Sequence, residues 1–505
     1  MKKALYSGLC LLVAQSTMQA FAAKKPNVIL ILADDLGYGE LGCYGQKTIE
    51  TKNIDALANN GIRFTQHYAG SAVSAPSRSV LLTGLHSGHT PIRGNDELSN
   101  RGDVWSHQAM LENPALEGQY PMPADTYTLG KMAQEAGYAT AMIGKWGLGY
   151  PGSASTPNKM GFDFFFGYNC QRQAHSYYPM FLYRNEKRVY LDNAPLLVPK
   201  QSLNKKADKY NPESYKPFSR KQYSGDLMFE ELSAFVDKNV DKPFFLMWTT
   251  PIPHVALQAP QRWIEYYVKK LGDEEPYTGS AGYLPSRYPR ATYAAMISYL
   301  DEQIGHLVDQ LKRSDIYENT VIIITSDNGA TFNGGTQSVF FNSNGIFNSE
   351  KGWGKTSLHE GGIRVPLIVS WPSKIKTYRE SGHISCFYDY MSTLAKIMGG
   401  KSKQTDGISF YNELVGKKQQ EHSFLYWEFP EGSGQKAIRM GKWKGLWQNI
   451  RKGNSHLALY NLETDPREQY DLAEQHPDIV SKMRTIMEKE HVVSENPKFN
   501  LNNPW

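Results

Sequence analysis

The stretch Asn27-Val28-Ile29-Leu30-Ile31-Leu32-Ala33-Asp34-Asp35 is apolar from Val28 to Ala33 and then ends on two carboxylates. An apolar run this short reads as a strand buried on both faces, as in the middle of a parallel sheet. The same pattern recurs at Ala139–Ile143, Phe244–Trp248, Val321–Ile324 and Leu367–Val369. Helical patterns lie between these runs. The clearest extends from about Tyr293 to Leu311, with Ile297, Leu300, Ile304, Leu307, Val308 and Leu311 on one face. Strands alternating with helices predict an α/β protein: an α/β/α sandwich around a large mixed, mostly parallel sheet.

Working outward, two regions depart from this alternation. Residues from about 151 to 240 are rich in Tyr, Pro, Asn and Lys with weak periodicity, which predicts long surface excursions. Beyond about 405, short strand-like pieces follow one another at Phe424–Phe429, Ala437–Met440 and Leu457–Tyr460, then a helix from about Pro477 to Glu488. That predicts a smaller C-terminal α+β subdomain with a short antiparallel sheet. The organisation expected is an export signal at 1–22, a main N-terminal α/β domain at 23–404 and a C-terminal subdomain at 405–505. The signal is read from Lys2 and Lys3, the apolar stretch Ala4–Val13 and the small residues of Ala20-Phe21-Ala22, and its apolar part is too short to span a bilayer. Leu9 before Cys10 does not suit a lipoprotein signal, so a periplasmic protein is expected, with a secreted or surface-lipoprotein form as the alternative.

The chain has 505 residues, 40% hydrophobic and 21% charged, with a net charge of +5 and no long basic run. These values exclude a collagen-like or fully disordered chain and give no sign of a nucleic-acid partner. No later segment approaches a membrane helix, so no integral membrane segment is expected. Past residue 22 only Cys43, Cys170 and Cys386 remain, an odd and widely spaced set that forms no disulfide framework and no zinc motif.

In an open α/β sheet, ligands bind beyond the carboxyl ends of the strands. There the sequence places Asp34 and Asp35, Asp327 and Asn328, Lys145, and His254. Three carboxylates and an amide oxygen suit Ca²⁺ or Mg²⁺, and without paired His or Cys they do not suit zinc. Each pair alone reads equally as a turn or helix cap. The segment Ser74-Ala75-Pro76-Ser77-Arg78-Ser79-Val80-Leu81-Leu82-Thr83-Gly84 reads as a helix with Pro76 in its first turn and Gly84 at its end. Ser74 then sits where free N–H groups favour an anion.

The whole string resembles the signature of the formylglycine-dependent sulfatases, Cys/Ser-x-Pro-Ser-Arg-x-x-x-Leu-Thr-Gly, with Ser74 as the residue oxidised to formylglycine. The resemblance extends from Asn27–Asp35 to Glu360-Gly361-Gly362-Ile363-Arg364-Val365-Pro366, and more weakly through Tyr460–Pro466. It implies that Asp34, Asp35, Asp327, Asn328 and residue 74 hold Ca²⁺, that Arg78 fixes the formylglycine hydrate, and that Lys145, His254 and Lys355 bind the sulfate. His254 is the candidate to protonate the departing sugar oxygen. A serine at 74 implies a radical-type serine sulfatase-maturing enzyme as partner.

One position departs from the family pattern. Residues 144–149 read Gly-Lys-Trp-Gly-Leu-Gly where the family has Gly-Lys-Trp-His-Leu-Gly, so Gly147 replaces a histidine. Either another group substitutes, with His89 the leading candidate, or a sub-branch of the family dispenses with the histidine, or turnover is impaired. The sub-branch reading is favoured because every other motif position is intact, and a more open pocket beside Lys145 is expected. The other reading of His89 is a buttress for the turn after Gly84. The aromatic and polar run Gly161–His175 adds Arg172 and His175, which with His89 are the candidate substrate-binding residues. The resemblance to exported bacterial carbohydrate sulfatases implies a sulfated galactose or N-acetylgalactosamine in a host or algal glycan. The alternatives are a phosphoryl hydrolase of the same superfamily, of alkaline-phosphatase type, and a catalytically dead glycan-binding relative.

Overall fold

The computed structural model describes residues 24–403 and 405–501, so the export signal read at 1–22, with Cys10, lies outside the described residues. Sixteen strands are assigned among them. They are β1 (Asn27–Ala33), β2 (Ile62–Phe64), β3 (His67–Tyr68), β4 (Ala139–Lys145), β5 (Phe164–Tyr168), β6 (Phe181–Arg184), β7 (Lys187–Tyr190), β8 (Phe244–Thr249), β9 (Thr320–Ser326), β10 (Leu367–Ser370), β11 (Arg379–Ser381), β12 (Ser385–Cys386), β13 (Leu425–Phe429), β14 (Gln435–Met440), β15 (Trp443–Gln448) and β16 (Leu457–Asn461). Ten of them form one sheet in the order β11-β2-β10-β9-β1-β8-β4-β5-β6-β7. Its centre, β9-β1-β8-β4-β5, is parallel throughout. The fold is the expected α/β/α sandwich.

Strand β1 shows why an unbroken apolar run is required there. Val28, Leu30 and Leu32 enter one core, and Ile29, Ile31 and Ala33 enter the other. Helix Pro289–Arg313 covers the second face with Ile297, Leu300, Ile304, Leu307 and Leu311. Helices Ser74–Thr83, Leu129–Glu135 and Tyr390–Met398 cover the first.

Two expectations need correction. Leu367–Val369 is buried on both faces, but β10 runs antiparallel to both β9 and β2. Burial on two faces makes a strand apolar whatever its direction. The region 151–240 is more than surface excursion. It supplies three strands at one edge of the sheet and the helix Ser224–Lys238, which buries Met228, Leu232, Phe235 and Val236. The edge strands are only four or five residues long and carry Arg and Tyr, so their periodicity is too short to read. The three later cysteines are free thiols.

The C-terminal sheet β13-β14-β15-β16 is antiparallel, with β15 unread in the sequence. One face packs under helix Pro477–Lys489 through Met483 and Met487, against Tyr426, Ile438 and Trp447. The other face joins the large core through Leu425, Trp427, Phe429, Ala437 and Leu446. A buried charge cluster pins the two parts together. Lys444 Nζ on β15 lies 2.9 Å from Glu360 Oε1 and 2.8 Å from Glu468 Oε1, and Arg364 Nη1 lies 3.1 Å from Glu360 Oε2. Burial works to raise the Glu360 carboxyl, but the charges of Lys444, Arg364 and Arg439 outweigh it and hold it at about 2. Lys444→Met strands the buried Glu468 carboxylate and leaves Glu360 to Arg364, and should destabilise the protein by about 3–5 kcal/mol. Denaturant unfolding at neutral pH measures this; a loss confined to a few tenths of a kcal/mol contradicts it.

Candidate active site

Four adjacent strands of the parallel centre, β9, β1, β8 and β4, end along one edge of the sheet, and each delivers polar groups there. Beyond β1 lie Asp34 and Asp35, both fully buried. Asp35 has φ 67°, a left-handed conformation that Asp tolerates better than most residues. Beyond β9 lie Asp327 and Asn328; β4 ends on Lys145; His254 follows β8. The helix Ser74–Thr83 points its N-terminus at the same edge, with Val73 extended just before it and Gly84 closing it at φ 71°.

The groups interlock. Ser74 Oγ donates to Asp34 Oδ1 at 2.9 Å, and Lys145 Nζ lies 3.2 Å from Ser74 Oγ and hydrogen-bonds Asp34 Oδ2. Arg78 Nε donates to Asp327 Oδ2 at 3.1 Å, its Nη2 lies 3.4 Å from Asp34 Oδ2, and its Nη1 donates to the Lys145 carbonyl at 2.6 Å. Lys355 Nζ donates to Asp35 Oδ2 at 2.8 Å, and Asn328 Nδ2 to Asp35 Oδ1 at 2.8 Å. Three carboxylates thus face three cations. Burial acts to raise the Asp34 carboxyl, but Lys145, His254, Arg78 and Lys355 outweigh it and hold it well below the usual range. Asp327 is pushed up to about 6, by burial and then by the charge of Asp34. Burial lowers the Lys145 ammonium, whereas at Lys355 the charge of Asp35 overcomes burial and raises it.

His254 Nδ1 lies on the Val255 carbonyl at 2.5 Å, which leaves Nε2 free, 3.7 Å from Asp35 Oδ2. Burial, then the charge of Lys355, pulls this imidazole down to about 4. His175 stacks on His254 with ring centres 4.8 Å apart, and Tyr283 meets both rings edge-on. Ser74, Lys145, Lys355, His254, His175 and Arg172 all line one pocket of about 260 Å³.

The oxygen-donor set fits a hard divalent cation. Asn328 Oδ1 is buried without a hydrogen-bond partner, while its Nδ2 is engaged with Asp35. Burying an amide oxygen unpaired costs ~1–3 kcal/mol, which a cation at that oxygen would relieve. The neighbouring donors are the carboxylates of Asp34, Asp35 and Asp327, the chemistry of a Ca²⁺ or Mg²⁺ shell.

Two expectations fail on geometry. His89 is not in this pocket. It lies beyond the far end of the helix Ser74–Thr83, whose ten residues span about 15 Å. Its Nδ1 binds Asp406 Oδ2 at 2.9 Å, its ring stacks on His86 at 4.0 Å, and it lines a different cavity of about 580 Å³. Asp406 N donates to the Gly84 carbonyl at 3.0 Å, so His89 buttresses the turn that ends the helix. Nor is the space beside Gly147 left open. Gly147 has φ 77°, and a Cβ there would stand 3.4 Å from Gln171 Cβ and Oε1, in ordinary contact with a side chain that borders that space. The sequence reading also missed Asn95, Glu97, Trp105, Tyr283 and Glu431, which line the pocket from loops without a motif.

Residues 26–400 match the family model Sulfatase, and residues 349–492 match N-sulphoglucosamine sulphohydrolase, C-terminal. The chain belongs to the sulfatase family and is a sulfuric ester hydrolase. It is 29% identical to an N-acetylgalactosamine-6-O-sulfatase of Bacteroides thetaiotaomicron over 92% of this chain and 93% of that one. It is 25% identical to the human N-acetylgalactosamine-6-sulfatase over 95% of this chain and 89% of that one. Among solved structures it is similar to Ps i-CgsB in complex with k-i-k-neocarrahexaose, with TM-score 0.71, 27% identity, and 95% and 94% of the two chains covered.

The displacement of His89 gives a direct test. His89→Ala should leave sulfate release close to wild type, far from the ~10²-fold or larger loss that follows removal of an acid/base group. It should lower the thermal midpoint, because the turn after Gly84 loses its buttress. Steady-state kinetics beside a melting curve checks both; a large loss of turnover at an unchanged midpoint contradicts the assignment.

Proposed function

We propose that this protein hydrolyses a sulfate ester on a carbohydrate, a sulfated galactose or N-acetylgalactosamine of a host or algal glycan, using formylglycine at position 74 and Ca²⁺. The observation that carries the reading is the convergence of Ser74 with Lys145, Lys355 and His254 around the Asp34, Asp35, Asp327 and Asn328 oxygens, on one pocket. Asp34, Asp35, Asp327, Asn328 and residue 74 would hold the cation. When present, the oxidised residue supplies an aldehyde hydrate whose hydroxyl attacks sulfur and which, unlike serine, can release sulfate by elimination; the cation supplies positive charge beside it.

The chain's own side chains do the rest. Lys145 and Lys355 set two ammonium groups against the charge that develops on the sulfuryl oxygens. Arg78 holds Asp327 and the Lys145 backbone in register, which fixes the platform under residue 74. His254, oriented through Nδ1 by Val255, presents Nε2 as the donor for the departing sugar oxygen. In the free protein burial keeps this imidazole neutral. An anionic sulfate ester beside it favours the protonated form, which is the form that can donate.

A sugar is favoured over an aryl or steryl group because the pocket sets the hydrogen-bonding groups of Asn95, Glu97, Gln171, Arg172 and Glu431 beside the aromatic faces of Trp105 and Tyr283, partners for hydroxyls and for a ring. The relatives named for N-acetylgalactosamine-6-sulfate and the carrageenan-bound structure point the same way. Export to the periplasm and oxidation of Ser74 by a radical-type serine sulfatase-maturing enzyme belong to the same reading. No described helix is long and apolar enough to cross a membrane.

Two measurements test it. Mass spectrometry of the peptide spanning Ser74 should show the loss of two hydrogens in protein made with a serine-accepting maturase, and plain serine in nearly inactive protein made without it. Full activity with an unmodified serine contradicts the mechanism. After chelation, Ca²⁺ alone should restore activity and raise the melting temperature with concentration, as a ligand that binds only the folded state must. Restoration by Zn²⁺ alone would overturn the metal assignment.

A further inference from the structure

The pocket has two chemically different ends. The inner end, at Ser74, carries Lys145 and Lys355 and suits an anion. The outer wall carries a buried ion pair in which Arg172 Nε lies 3.2 Å from Glu97 Oε2. Arg172 is 5% and Glu97 6% exposed, so the pair belongs to a built wall and not to the solvated rim. Gln119 Nε2 donates to Glu97 Oε2 at 2.7 Å and anchors the carboxylate. The indole of Trp105 lies against the guanidinium, 4.8 Å from ring centre to Cζ, and anchors the arginine. Despite this support, Arg172 Nε and Nη1 are buried without a hydrogen-bond partner, since the contact with Glu97 is misaligned for one. Nε is taken up by its ion pair with Glu97, which leaves Nη1 as the guanidinium donor with no partner on this wall, a place for a ligand oxygen.

The charge of the wall decides which oxygens. Glu97 neutralises Arg172, and Glu431 adds another carboxylate, accepting from the Asn95 backbone N–H at 2.5 Å. Lys200 also lines the pocket and balances one of these carboxylates, so the wall carries no excess positive charge to hold a second anionic group on the substrate. A neutral diol meets complementary partners instead: guanidinium N–H groups donate to one hydroxyl oxygen while the adjacent carboxylate accepts from the next. Resting on the carbohydrate reading above, we propose that Glu97 and Arg172 are specificity-determining residues that bind two neighbouring neutral hydroxyls of the sulfated sugar ring. The pair therefore selects the sugar, while the Ser74 end processes the sulfate.

The test separates this proposal from the reading it rests on. Wild-type enzyme is first assayed on sulfated galactose and N-acetylgalactosamine, and then on singly deoxygenated analogues of whichever is turned over best. Sulfate release from none of the sulfated sugars would sink the carbohydrate reading and the proposal with it. Given activity, removal of either of one adjacent pair of hydroxyls should cost roughly 10²-fold or more in kcat/KM, because buried polar partners are then left unpaired. This arm needs no mutation and is independent of whether variants fold. In Glu97→Gln and Arg172→Gln, kcat/KM on the intact sugar should fall by a similar factor, and the penalty for the deoxy analogues should largely vanish. Release of sulfate from 4-nitrophenyl sulfate, which has no diol, should change less than about threefold. Equal losses on the sugar and on 4-nitrophenyl sulfate would overturn the proposal, as would deoxy analogues as good as the parent. So would a disulfated sugar depending more on Arg172 than a monosulfated one, since that marks an anion reader.

Discussion

The structure is organised around a desolvated charge cluster at the carboxyl edge of the sheet. Asp34, Asp35 and Asp327 are all fully buried, and each buried ion costs several kcal/mol before it is paired. Arg78, Lys145 and Lys355 provide the compensation, and they come from a helix, a strand end and a distant loop. The four strands that supply these groups must therefore end in register, and the helix Ser74–Thr83 must present its N-terminus to the same edge. A site of this kind is fixed by the sandwich around it: the apolar runs of β9, β1, β8 and β4 bury both faces of the sheet and set the spacing of the ends.

The C-terminal sheet is part of that frame. One face of it lies in the large core, Lys444 is locked onto Glu360, and Glu431 borders the pocket. Gln435 on β14 also grips the loop that carries Lys355, accepting from Leu358 N at 3.0 Å and donating to the Thr356 carbonyl at 2.9 Å. Thr356 sits in the left-handed region with φ 71°, a conformation that such external hydrogen bonds help to hold. The smaller sheet thus reaches both the Lys355 side and the Glu431 side of the pocket.

Much of this was legible before any fold was known. Val28–Leu32, Ala139–Ile143, Phe244–Trp248 and Val321–Ile324 are strands of the parallel centre, and the stripe from Ile297 to Leu311 is the face of the long helix. The groups after those runs meet because strand ends converge in a parallel sheet. The eleven-residue string at Ser74–Gly84 carried the family, since that helix needs Pro76 early, Arg78 inward and Gly84 at its close. The region 151–240 was misread because its edge strands are too short to show a period, and β10 because burial says nothing about direction.

The residues whose chemistry depends on their own neighbours in sequence were readable: apolar runs, caps and a contiguous motif. His89 was misplaced because closeness in sequence to the helix Ser74–Thr83 does not give the direction of that helix, and ten residues of rise carry it away from Ser74. Gly147 was expected to leave an open pocket, yet Gln171, on a separate loop, borders that space at contact distance. Glu97, Arg172 and Trp105 come from two loops with no shared pattern, and they become a wall only when folding stacks the indole on the guanidinium and sets the carboxylate beside it. Local periodicity and motif chemistry are written along the chain; which distant loops share a pocket is settled by packing, and packing has no signature in sequence order.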